Sequence, residues 1–374
     1  MMRKFLCVML VLFTGGILFP VDYSILGEVY TSGNSDSFGT GLQTGAFLDH
    51  RFSYPDGAFG LTHEISYLPD SSDEFSHTLY TAYANLRLSD ALLFTAGKFR
   101  IPWTKCVYFA PLDKINPSLQ SLDTKSPREG FWGASISWTP DQDTSLILCA
   151  DVSEDAEDGS FYNTPKMGAY ASRFFGNLDL FVSGIYQYDS MALAGTGLSY
   201  NFFDYILYVE AGIEIDDNYV YFDGPSPSYD NSTDYLLGDY PVIASGGIER
   251  LIYFDNSTVS FIFEYLYSEA SYTKRQTENF NPLVLPENYS VPGFGQHHIV
   301  LNAGIELIDL LMFDNAALFN LSDNSMYHMH SITLTTFEDI DIKCSVSFYH
   351  GGETTELGFM TPDFSVDYKI AFHF

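Results

Sequence analysis

The sequence predicts an all-β fold: a transmembrane, antiparallel, up-and-down β-barrel of about eighteen strands, with sixteen as the alternative count. Three features lead to it. Apolar and polar residues alternate with period two along almost the whole chain, the connections alternate between short turns and long polar loops, and Phe and Tyr gather near strand ends.

The alternation is plainest at the carboxyl end, where Phe364, Val366, Tyr368, Ile370, Phe372 and Phe374 interleave with Ser365, Asp367, Lys369, Ala371 and His373. One face is apolar and the other polar or small, as a wall between lipid and water requires. The same division recurs upstream. Leu207, Val209, Ala211, Ile213 and Ile215 oppose Tyr208, Glu210, Gly212 and Glu214; Ile299, Leu301, Ala303, Ile305 and Leu307 oppose Asn302, Gly304 and Glu306. Ile340, Ile342, Cys344, Val346 and Phe348 oppose Asp341, Lys343, Ser345 and Ser347.

Short turns are expected at Tyr54 to Gly57, Ser89-Asp90, Thr139 to Asp143, Gly176-Asn177, Phe203-Asp204, Asp255-Asn256, Ile308-Asp309 and Glu338-Asp339. Longer polar stretches lie between them at 32–38, 68–76, 101–127, 153–165, 187–190, 216–240, 268–296, 321–326 and 350–362. Both chain ends then fall on the short-turn side. That asymmetry belongs to single-chain outer-membrane barrels, which have an even number of strands. A soluble β-sandwich or β-solenoid also alternates. The apolar face that runs unbroken over many strands favours the membrane, as do aromatics at strand ends such as Phe52, Tyr54, Phe202, Phe203, Tyr205, Tyr253, Phe254, Tyr265 and Tyr267. The ending on Phe374 resembles the signal by which the barrel-assembly machinery recognises its substrates, so that machinery is an expected partner together with outer-membrane lipid.

Composition removes the competitors. The 374 residues include 32 Phe and 27 Tyr, which disfavours acidic disorder. A formal charge of −31, from 17 Lys+Arg against 48 Asp+Glu, repels nucleic acid. Beyond the amino terminus no apolar run reaches the roughly 18 residues of a membrane helix. At the amino terminus Arg3 and Lys4 precede the apolar run Phe5 to Phe13 and the small residues Thr14-Gly15-Gly16. This is the layout of a secretory signal peptide, expected over 1–21 with cleavage near Gly16, which leaves 22–374 as a single barrel domain. Cys106, Cys149 and Cys344 allow at most one disulfide, show no metal-type spacing, and read as packing residues.

By the alternation, Glu64, Glu210, Glu214, Glu264, Glu306, Asp341, Asp367, Lys343 and Lys369 face inward, where only water or partners make them tolerable. One segment departs from this acidic pattern. Lys98, Arg100, Lys105, Lys114, Lys125 and Arg128 cluster within 98–128, with only Asp113 and Asp123 against them. Lys98 and Arg100 share a face opposite Phe99 and Ile101, so both are expected to enter the lumen. The loop that follows, 101–127, is unusually apolar (Tyr108-Phe109-Ala110-Pro111-Leu112, then Ile115-Asn116-Pro117) and is expected to fold inward, the alternative being a lid over the mouth. A basic loop against an acidic wall would set a transverse field across a constriction. The expected pore-lining set is Lys98, Arg100, Lys105, Lys114, Glu64, Glu210, Glu264 and Glu306.

The same stretch carries a family resemblance. Gly97-Lys98-Phe99-Arg100-Ile101-Pro102-Trp103, then Phe109-x-Pro111-x-Asp113-x-Ile115-Asn116-Pro117 and later Arg128-Glu129, resembles a segment shared by porin-like outer-membrane families. In those families these elements border the inward loop; Thr104 stands where they carry glycine after the tryptophan. The resemblance covers some forty residues and implies passive or selective uptake of small hydrophilic solutes or ions. The acidic lumen points to cation preference, and a homotrimer is compatible with the reading.

With the first strand expected to begin near Tyr23, neither a plug domain nor an amino-terminal hatch is expected. The scattered histidines form no catalytic arrangement, so no enzyme and no cofactor is expected; His328 and His330 share a face and read as pore-wall residues. The competing reading is a surface adhesin or a structural barrel with a sealed lumen. It rests on the long loops 216–240 and 268–296 and on the acidic runs Asp70 to Glu74 and Glu154 to Asp158.

Overall fold

The computed structural model describes residues 22–36, 40–67, 75–116, 128–152, 165–187, 191–216, 241–269, 296–307, 310–336, 340–351 and 364–373. Residues 1–21, Lys125, Phe374, both acidic runs and all of 217–240 and 270–295 lie outside the described residues.

The strands are β1 (Asp22–Asp36), β2 (Thr40–Tyr54), β3 (Gly57–Tyr67), β4 (Phe75–Ser89), β5 (Leu92–Phe99) and β6 (Phe131–Trp138). Next come β7 (Thr144–Asp151), β8 (Lys166–Phe175), β9 (Leu178–Gln187), β10 (Met191–Phe202), β11 (Tyr205–Asp216) and β12 (Val242–Phe254). The last are β13 (Ser257–Ser268), β14 (His297–Leu307), β15 (Leu311–Asn320), β16 (Ser325–Thr336), β17 (Ile340–His350) and β18 (Phe364–His373). Each pairs antiparallel with its neighbour in sequence, and β1 pairs with both β2 and β18, closing an 18-stranded barrel. Closure leaves no unpaired sheet edge.

The count is eighteen, and the short turns within the described residues fall where the alternation breaks; Ile308-Asp309 and Glu338-Asp339 lie outside those residues. One boundary moves. The polar stretch at 32–38 is largely strand, because Ser32, Gly33, Asn34, Ser35 and Asp36 continue the ladder opposite Lys369, Tyr368, Asp367, Val366 and Ser365. Small polar residues pair well where a wall rises above the apolar band. The wall is uneven in height: β1, β2 and β4 have 15 residues each, β5, β6 and β7 only 8.

Cross-strand partners share a face, so burial on one strand assigns the faces of all. On β9, Asp179, Phe181, Ser183 and Ile185 are buried and point inward, while Leu180, Val182 and Tyr186 are exposed outward. Carried round the ladder, this puts Leu148, Val209, Ile213, Phe261, Leu301, Ile332, Ile342 and Phe372, all exposed, on the outside. A soluble protein does not expose so continuous an apolar belt. From β5 to β14 the outward positions between the rims are apolar among the described residues apart from Thr196, whose hydroxyl bonds the Phe181 carbonyl at 2.6 Å, and Lys98, whose ammonium is buried against the Leu79 carbonyl and Glu129. Near the short-turn rim, Arg173 stacks on Phe175 and Arg250 on Tyr205, keeping each cation beside an aromatic ring.

The belt is not unbroken. His50, His63 and His77 on β2–β4, and Asn315, His328 and His330 on β15 and β16, also face outward. His328 pairs with Phe348 and Ala317, whereas Ser331, Ser345 and Ser347 occupy the buried inner face. His328 and His330 therefore share a face as expected, but it is the outer one and not the pore wall.

Candidate pore constriction

At the end of β5 the chain turns into the barrel. Gly97 has φ 125°, and a Cβ there would stand 2.1 Å from the Ala82 carbonyl oxygen, so only glycine serves. Beyond it Phe99 and Ile101 join a buried cluster with Phe181, Ile185 and Leu193, residues of the inner wall. This reverses the expectation that Lys98 and Arg100 enter the lumen opposite that apolar pair. The Lys98 ammonium instead donates to the Leu79 carbonyl and pairs with Glu129, and Arg100 donates to the Glu129 carbonyl at 2.9 Å. An inward loop needs an apolar footing, and Phe99 and Ile101 supply it.

The loop residues Trp103, Leu112 and Ile115 are buried in the same cluster. Each of the first two fits a place on the wall where a side chain is missing. Trp103 lies over Gly168, and Leu112 enters a hollow made by the cross-strand partners Gly195 and Gly212; a Cβ on either would come within 2.5 Å of its methyl carbon. Asn116 ties the turn together. Its side-chain carbonyl accepts from Ile101 N, its amide donates to the Ile101 carbonyl and to Asp113, and these bonds measure 2.7–3.1 Å. The asparagine thus acts as a strand-like partner for the loop's first residue.

Carboxylates from the wall hold the polar backbone between these apolar anchors. Glu210 accepts the Thr104 hydroxyl at 2.8 Å and Lys105 N at 3.3 Å. Glu264, fully buried, accepts the consecutive N–H groups of Val107 (2.7 Å), Tyr108 (2.7 Å) and Phe109 (3.1 Å). Phe109 also packs beside His298, with ring centroids 6.1 Å apart. Lys105 pairs with Asp179, and Lys114 with Glu214 at 3.0 Å. The basic loop and the acidic wall therefore meet as ion pairs at contact distance, and the field expected across a water gap is closed over at these points.

Burial disfavours the Lys105 ammonium, but its bonds to Asp179 and Tyr170 outweigh that and hold its pKa above the ordinary value. Burial pushes the Asp113 carboxyl up, against the bonds from Asn116. Burial, with Glu210 and Glu264 close by, pushes the Cys106 thiol far up, so it is a packing group and not a reactive one. Cys149 is likewise buried, whereas Cys344 is exposed on the outer face and packs no core.

The other half of the inner wall is dressed differently. Glu64 accepts the Tyr80 hydroxyl at 2.6 Å and that of Tyr30; Lys369 pairs with Glu28 and lies over the Tyr30 ring. Arg51 and Asp49 pair at 2.9 Å. Glu306, exposed, faces inward near the short-turn end of β14. Of the expected pore-lining residues, then, Lys105, Lys114, Glu210 and Glu264 meet at the loop's docking surface. Lys98 and Arg100 close its neck, and Glu64 and Glu306 stand apart on the wall. Sequence reasoning missed Asp179, Thr104 and the glycine hollows. The hollows had a signal, since Gly168, Gly195 and Gly212 all fall at inward positions.

No protein-family model and no curated protein matches this chain. Solved structures do. Acinetobacter baumannii OccAB1 superposes with a TM-score of 0.56 at 10% identity, over 94% of this chain and 95% of that one. Pseudomonas aeruginosa OccK8 (OprE) gives 0.59 at 10% identity, over 95% and 98%. Pseudomonas aeruginosa OccK2 (OpdF), in complex with glucuronate, gives 0.57 at 12% identity, over 94% and 97%. These are Occ (OprD-family) outer-membrane porins, and at such identities the likeness is one of barrel architecture.

Proposed function

We propose that this chain is an outer-membrane porin, exported by the signal at 1–21, whose lumen passes small hydrophilic solutes by diffusion with a preference for cations. The observation that carries the reading is the unequal dressing of the inner wall. On one side loop 100–116 is fixed to β9, β11 and β13, and the acids that hold it, Asp179 and Glu214, keep only 4% and 3% of their side-chain surface. On the other side Arg51 keeps 62%, Lys369 38% and Glu28 19%. Charges that remain accessible inside a closed apolar-skinned cylinder support a wet path, bounded by the loop on one flank and by β1–β3 and β15–β18 on the other. Carboxylates outnumber cations on that flank, with Glu28, Asp49, Glu64, Asp341 and Asp367 against Arg51, Lys343 and Lys369, which favours cations.

Single-channel recording of the refolded mature protein in a planar bilayer under a salt gradient tests this. Ohmic steps with a cation-selective reversal potential are expected. An anion-selective potential would refute the preference, and a folded barrel without conductance would favour a sealed lumen and a surface role.

A further inference from the structure

On the flank that the loop leaves open, one carboxylate has aromatic neighbours and no cation. Glu28, Phe47 and Glu64 stand in one row on β1, β2 and β3, all on the inner face. Glu28 pairs with the Lys369 ammonium, which also lies 4.5 Å from the centre of the Tyr30 ring. Glu64, at the other end of the row, pairs with no Lys, Arg or His among the described residues. Its two oxygens accept the Tyr30 and Tyr80 hydroxyls instead.

The backbone is shaped to bring these rings together. Tyr80 is the extra residue of a bulge in β4: Thr81 pairs with Thr62 and Leu79 with His63, and Tyr80 between them has no opposite number. A bulge re-aims a side chain. This one turns the Tyr80 ring toward Phe47, with centroids 5.8 Å apart and planes tilted by 53°. Gly45 makes room for Tyr30, since a Cβ there would stand 2.6 Å from the Tyr30 hydroxyl oxygen, and Gln43 donates to that hydroxyl at 3.2 Å. Phe47, Tyr80 and Glu64 are only half-buried, so all three keep surface toward the lumen.

We propose that Glu64, Phe47 and Tyr80 form a binding site for quaternary ammonium solutes. The proposal rests on the porin reading, which makes this flank the wet path. Two arguments choose the class. First, an alkylated ammonium is drawn to ring faces as well as to charge, and Lys369 over Tyr30 is an ammonium held in that way beside the site. Second, the two Tyr hydroxyls already take up part of the accepting capacity of Glu64. A primary ammonium carries three donors to satisfy and a bare alkali ion needs several oxygens. A quaternary ammonium needs charge and apolar contact, and no acceptor.

Equilibrium dialysis of the refolded mature protein in detergent compares labelled tetramethylammonium with labelled rubidium, a cation of equal charge. Tetramethylammonium is expected to bind saturably and roughly tenfold tighter than rubidium. Glu64→Gln should abolish the saturable binding. Phe47→Leu, which keeps the wall apolar at that point, should weaken tetramethylammonium several-fold and leave rubidium unchanged. Equal affinity for the two cations, or an equal loss of both in Phe47→Leu, overturns the site. Single-channel recording on the same preparation keeps the two readings apart. A conducting barrel without selective binding refutes the site alone, whereas selective binding to a barrel that does not conduct upholds the site and refutes the porin.

Discussion

Glu264 on β13 and Glu64 on β3 are both inward glutamates of one barrel wall, yet they have opposite tasks. Glu264 is sealed beneath the loop and spends its oxygens on the backbone of Val107, Tyr108 and Phe109; Glu64 is held by Tyr30 and Tyr80 on the flank the loop leaves alone. An acidic residue in a pore wall can therefore be a fastener or a field source. What decides is whether a donor-rich segment has folded onto it.

Four substitutions should separate these roles. The largest effect is expected for Glu264→Gln, which sets an amide donor against backbone donors. Leaving charge-assisted bonds unmade costs roughly 2–4 kcal/mol, about a hundredfold in loop docking, and should appear as a larger, noisier single-channel conductance. If conductance is unchanged, Glu264 is not a fastener. Next, Lys105→Met strands the Asp179 carboxylate at 4% exposure; roughly 3 kcal/mol for breaking a buried pair predicts loosened docking, read as faster proteolysis within the loop. Gly212→Val fills the hollow that takes Leu112, and overpacking of about 1–3 kcal/mol predicts a milder gain in open-channel noise. Smallest is Glu64→Gln, expected to leave conductance near the parent's while lowering cation selectivity in the reversal potential. Were Glu64→Gln to enlarge the channel as Glu264→Gln does, the distinction between the halves would fail. A fifth check concerns Cys106: maleimide at mildly alkaline pH should spare it in the folded barrel, where its thiolate is suppressed by burial and nearby carboxylates, and modify it in denaturant.

Much of the fold was legible because a barrel wall imposes period two on every strand, and runs such as Phe364 to Phe372 report it without tertiary help. The limits of β1 were not, since Ser32 to Asp36 are polar enough for a loop and small enough for a strand. The loop's inward course was legible in its own composition. Its partners were not, because nothing local at Thr104 or Val107 points to carboxylates on β11 and β13. The faces of Lys98 and Phe99 were misread for a different reason: the ladder stays regular through Gly97 and keeps Phe99 on the inward face of Thr95 and Lys98 on the face of Ala96, so the alternation held and the presumption that a cation faces the lumen failed. The histidines of the outer face were misassigned because a polar residue on a barrel strand is presumed to face water.

The fasteners of the constriction lie far downstream of it. Thr104 is 106 residues from Glu210, and Val107 is 157 from Glu264. Contacts that span so much chain form late, after the intervening loop entropy has been overcome. Strands β11 to β13 must be in register before there is anything to grip. The barrel is thus assembled wide and narrowed afterwards, and in refolding the slowing of gel migration on barrel closure should precede the fluorescence change of Trp103 as it settles against Gly168.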